Sequence, residues 1–171
     1  MTVGAYNVEA WHELFIASAG AAAALSGLIF VAVSINLGEI LAAEEKVGSS
    51  YLTGRALESL VALLIILGIS IVGLDASINR MAFAVFLIFC AAGSAISPAR
   101  AVAAYWKTRV KPIAFDLRLF LASSLVAAYA VAGTTLLAQG GGGLHWIPVG
   151  FILAISIAAS NAWILLVEVL R

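Results

Sequence analysis

Residues 14–38 read LFIASAGAAAALSGLIFVAVSINLG, a stretch with no acidic or basic side chain. A helix needs about 20 apolar residues to cross about 30 Å of hydrocarbon, so this segment is long enough to span a bilayer. Working outward from it, similar stretches follow at 57–74, 81–99, 117–139 and 146–167. At 64% hydrophobic and 11% charged residues, with a mean hydropathy of +1.12, the chain is excluded from the soluble class. The expectation is an all-α integral membrane protein: one membrane domain over residues 1–171, built as a five-helix transmembrane bundle with very short connections.

The basic residues predict the topology. Five spans place the amino terminus and the 75–80 and 140–145 loops on one face. The 39–56 and 100–116 loops and the carboxyl terminus fall on the other. The first face then holds Arg80 alone, whereas the second holds Lys46, Arg55, Arg100, Lys107, Arg109, Lys111, Arg118 and Arg171. Cytoplasmic loops retain Lys and Arg, so the amino terminus is expected outside and the carboxyl terminus inside a cell (inner) membrane. The same excess predicts contact with anionic lipid at the inner face, not with nucleic acid. No cleavable signal is expected, because residues 1–13 contain no Lys or Arg and the first apolar stretch is too long.

Residues 3–15 read as a short interfacial helix in which Tyr6 and Trp11 suit the headgroup boundary; Tyr51, Tyr105 and Trp106 mark the opposite level. One or two amphipathic turns are expected in 39–55 before Gly48-Ser49-Ser50. Pro98 is expected to kink or end the third span, Pro112 to end what remains of it, and Asp116 to cap the fourth. Gly140 to Gly143 read as a flexible turn. Cys90, the single cysteine, lies mid-span and reads as core.

Small residues recur at helical spacing. Gly20, Ala23, Ala24, Gly27 and Ser34 share one face of the first span. Gly150, Ala154, Ala158 and Asn161 do so on the fifth, and Gly93 and Ser97 on the third. Lipid gives no hydrophobic reward for helix association, so such stripes mark places where backbones approach closely, within one subunit or between subunits.

The string Trp11-His-Glu-Leu-Phe15, followed by GAAAALSGLIFVAVSIN at 20–36, resembles a group of small bacterial multipass proteins of unknown function, some automatically labelled modulators of the FtsH-type membrane protease. The resemblance covers the first 40 residues. It implies a membrane accessory role and carries over no site residue.

Polar side chains are uneven with depth. No Asp, Glu, Lys, Arg or His lies near the middle of a span. A charge there costs about 2.5–3.5 kcal/mol on insertion scales, a cost that ion-coupled carriers accept. Asn36, Glu58, Arg100, Asn161 and Glu168 form an expected inner-leaflet polar cluster with Glu58 and Arg100 paired. On the other face Glu9, His12 and Glu13 fall at i, i+3, i+4, and with His145 they make an expected outer collar. Their types suit a divalent ion, but solvated helix-start residues account for them, so neither metal nor cofactor is expected.

Enzymatic readings fail on the absence of a Cys/His pair, a GxSxG turn, a P-loop or an intramembrane carboxylate pair. The chain therefore reads as a non-enzyme: a homo-oligomeric channel or passive pore with a preference for cations. The alternative is an accessory subunit or modulator within a larger membrane complex.

Overall fold

A computed structural model describes residues 4–47, 51–108 and 115–169. Two 3₁₀ turns, Gly4–Tyr6 and Val8–Trp11, lead directly into the first long helix, α1 (His12–Ile35). Asn7 accepts the Glu9 N–H at 3.2 Å, and the Trp11 indole donates to the Gly4 carbonyl at 2.8 Å, which fixes the angle of entry. The helix stops at Asn36, whose side chain donates back to the Ala32 carbonyl at 2.8 Å, and resumes as α2 (Leu37–Val47). The expected turn or two in the 39–55 connection is thus a helix of 11 residues. The Gly48-Ser49-Ser50 break and Pro112 lie outside the described residues.

Glu44 of α2 accepts both the backbone N–H of Thr53 at 2.7 Å and its hydroxyl at 2.9 Å. It thereby serves the open donors at the start of α3 (Tyr51–Gly73), as a capping side chain does, but from another helix. Asn79 caps α4 (Arg80–Ser94) by accepting the Ala82 N–H at 2.8 Å. The third span then breaks at Ala95 and continues as α5 (Ile96–Thr108). The break precedes Pro98 for a physical reason: proline at 98 has no N–H for the Ser94 carbonyl, and its ring crowds that oxygen. The last two spans are α6 (Phe115–Ala138), with Asp116 in its first turn, and α7 (Trp146–Val169).

Five helices, Val8–Ile35, Leu52–Gly73, Arg80–Lys107, Phe115–Ala138 and Gly143–Leu165, are long and apolar enough to cross a membrane. No strand occurs among the described residues. The fold is therefore all-α and of multipass membrane type. Four spans close a ring in the order α3, α7, α6, α4, while α1 lies outside it against α3. Of the first span's apolar stretch 11% is buried, against 44% of the second's, so α1 is an appendage of the bundle.

Large side chains fill the ring's interior: Leu63, Ile66 and Ile69 from α3, Phe83 and Leu87 from α4, Tyr129 and Leu136 from α6, and Ile147 from α7. Phe15 anchors α1 by meeting Phe83 edge-on at 5.8 Å between centroids, over a space that a side chain at Gly73 would fill. Cys90 is buried in this core. Close approach of α6 to its neighbours requires two glycines. A Cβ at Gly133 would lie 2.9 Å from the Ala84 carbonyl, and one at Gly150 would enter the Tyr129 ring. Contacts of this kind hold helices together where lipid already satisfies apolar surface.

Candidate functional site

At the end of the bundle away from the amino terminus, Glu58 organises polar side chains from four helices. Arg118 of α6 donates to its Oε2 at 2.7 Å, Asn161 of α7 donates to the same oxygen at 3.1 Å, and the Ser97 hydroxyl of α5 donates to Oε1. Asn161 in turn accepts from Arg55 of α3 at 2.8 Å. Arg55 and Asn161 are buried, at 6% and 3% exposure, so the network is desolvated on that side, while Arg118 keeps partial access to its surroundings. Charge-assisted bonds are strong in such surroundings, and a member left without partners there is costly. The network closes one end of the ring and ties α3, α5, α6 and α7 together.

Of the expected inner-leaflet cluster, Glu58 and Asn161 are brought together. Arg100 is exposed and takes no part; Arg118 occupies the role expected of it. Ser97, in the first turn of α5, is the residue of that helix that reaches Glu58. Asn36 bonds within its own helix, and the side chain of Glu168 lies outside the described residues. Sequence reasoning treated Arg55 and Arg118 as loop charges. Their places, one turn before Glu58 and one turn into α6, were the available signal.

At the amino-terminal face the chain-start turns, the 74–79 loop and the 139–145 turn meet. A left-handed Gln139 (φ 53°) ends α6, and the Gly140 N–H returns to the Thr135 carbonyl at 3.3 Å. Gly141, Gly142 and Gly143 also have positive φ. A side chain at Gly143 would strike the Ala5 carbonyl and the Tyr6 ring, so the glycine turn is packed against the amino-terminal segment. Trp146 donates to the Gly141 carbonyl at 3.0 Å, and Trp11 meets His145 edge-on at 5.0 Å.

The expected collar residues part company here. Glu9 and His12 line a cavity of 220 Å³ together with Tyr6, Asn7, Val8, Asp75, Ala76, Ile78 and Arg80. Glu13 points away from the bundle, and His145 lies by Trp11. Among the described residues no three His, Cys, Asp or Glu converge as a metal site. Asp75 accepts from the Ser77 hydroxyl at 2.6 Å and its N–H at 2.8 Å, and these bonds hold its carboxyl below the usual carboxylate range. Arg80 is half-buried, and Gln139, with its amide oxygen turned toward the guanidinium, accepts from both Nη atoms.

The small-residue stripes also separate. Gly150, Ala154 and Ala158 of α7 are buried within the bundle. Gly20, Ala23, Ala24, Gly27 and Ser34 of α1 are exposed, and a Cβ added at Gly20 or Gly27 would meet nothing within 4 Å. A Cβ at Gly93 of α4 likewise meets nothing. No family model, no curated protein and no solved structure matches the chain.

Proposed function

We propose that the protein is a homo-oligomeric channel of the cell membrane, amino terminus outside, assembled through α1 and selective for cations. The observation that carries this reading is the uncovered face of α1. At about 100° per residue, Glu13, Gly20 and Gly27 lie on the side of the helix opposite Phe15 and Ala22, the side chains buried toward the bundle. Glycine in a helix costs about 1 kcal/mol relative to alanine, and against lipid nothing offsets that cost. Against a neighbouring helix the bare backbone permits close packing.

The heptad spacing of Glu13, Gly20, Gly27 and Ser34 runs the length of the span, so copies of α1 meeting along it would form a left-handed seam. Large side chains fill the interior of a single chain, so a conducting path belongs between copies. Copies of Glu13 around that path would concentrate negative potential at its mouth and favour cations.

The protein extracted in gentle detergent or native nanodiscs should have the mass of a multiple of the chain. Gly20→Leu and Gly27→Leu should reduce that multiple while leaving membrane insertion intact. Reconstituted bilayers should conduct cations, less so with Glu13→Gln. A strictly monomeric particle defeats the proposal. A stoichiometric complex with a different protein, without conductance, favours the accessory-subunit alternative.

A further inference from the structure

The cavity at the amino-terminal face separates unlike charges. Arg80, on its wall, makes no ion pair among the described residues, and its guanidinium rests on the neutral amide oxygen of Gln139. Glu9 and Asp75 line the same space, yet neither carboxylate comes within ion-pair reach of Arg80. A half-buried guanidinium without a counter-charge is unfavourable, and it favours a planar or tetrahedral oxyanion that can accept from a fork of N–H groups. The two carboxylates that line the same cavity call for a cation with N–H donors.

We propose that this cavity binds a small zwitterion of the phosphoethanolamine type, with its phosphate toward Arg80 and its primary ammonium toward Glu9 and Asp75. The space of 220 Å³ suits a headgroup, not a whole lipid. It opens where Tyr6 and Trp11 mark the expected headgroup level. Ile16, one turn after the lining residue His12, and Met81, next in the chain after Arg80, are exposed at 62% and 65% and would lie against acyl chains. The ligand is thus either the headgroup of a membrane phosphatidylethanolamine or its free counterpart. The binding needs neither an oligomer nor a conducting path.

The test uses the full-length protein in nanodiscs of equal phosphatidylethanolamine and phosphatidylcholine, with retained lipid identified by native mass spectrometry. Phosphatidylcholine carries the same phosphate but a quaternary ammonium with no N–H. Wild type should retain phosphatidylethanolamine roughly tenfold over phosphatidylcholine, or bind soluble phosphoethanolamine if the ligand is the free headgroup. Arg80→Gln should lose retention of both lipids. Glu9→Gln combined with Asp75→Asn should keep lipid but lose the preference. That double variant changes only exposed carboxylates, so it decides the matter even if Arg80→Gln fails to fold. Displacement of the lipid by millimolar phosphoethanolamine assigns the site to the free solute; resistance to displacement assigns it to lipid. Equal retention of both lipids by wild type with no binding of phosphoethanolamine overturns the proposal, as does an unchanged preference in the double variant.

Discussion

On α7, Gly150, Ala154 and Ala158 lie inside the bundle, with Gly150 giving room to the Tyr129 ring; on α1, Gly20, Ala24 and Gly27 carry the same pattern outward. In sequence the two stripes are alike. Their difference follows from position in the ring, since α7 sits between α3 and α6 whereas α1 lies outside the ring, mainly against α3, with Phe15 reaching Phe83 of α4. A small-residue stripe records that a backbone can be approached. It does not record from where. The polar ends make the same distinction: α7 contributes Asn161 to a closed network, while α1 presents Glu13 to its surroundings.

The comparison breaks most readily at Gly150. Gly150→Leu should drive side-chain atoms into Tyr129 and cost about 3 kcal/mol or more of bundle stability, read as a lowered unfolding midpoint in mixed micelles. Unchanged stability would mean that α6 and α7 do not approach as closely as Gly150 and Tyr129 require.

A smaller effect belongs to the polar end of α7. Asn161→Leu should cost about 2 kcal/mol, because Arg55 and Glu58 each lose a buried partner. Removing Glu58 and Arg118 singly and together, each replaced by leucine, should give non-additive losses, with a coupling of about 1 kcal/mol because the Arg118 side chain is 32% exposed. Strict additivity would show that the pair does not act as a unit, and an equal coupling of Glu58 to Arg100 would restore the sequence-based pairing.

The smallest stability change is expected on α1. Gly20→Leu and Gly27→Leu should leave the single chain as stable as before or raise its stability by up to about 1 kcal/mol, since leucine is the better helix former and meets nothing. Their effect should fall on particle mass. A destabilised chain of unchanged mass would place these glycines at an intrachain contact and erase the contrast with α7.

How much of this was legible in the chain depends on how local each property is. The five spans follow from hydropathy summed along 20-residue windows, and the expected 14–38, 57–74, 81–99, 117–139 and 146–167 all fall on long helices. Pro98 was legible as a break because its chemistry acts on the preceding turn. The partner of Glu58 was not: Arg118, 60 positions away on α6, reaches it while Arg100 stays exposed, and only the packing of helices sets which arginine arrives. The cavity was half legible, since Glu9 and His12 stand one turn apart in sequence, but Asp75 and Arg80 come from the α3–α4 connection and the start of α4, which only folding brings beside them.

The sequence by itself determined that the chain is helical, which five stretches are long and apolar enough to span a membrane, and that the third of them breaks near Pro98. These depend on transfer free energies and backbone sterics, which each residue carries with it. Tertiary structure alone decided which small-residue stripe was used within the chain, which arginine meets Glu58, and that Arg80 lines one cavity with Glu9 and Asp75. Those depend on which helix lies beside which, and in a bilayer every apolar helix face is already satisfied by lipid. Packing shape and a few polar contacts therefore choose the neighbour, and both arise only when distant segments are brought together.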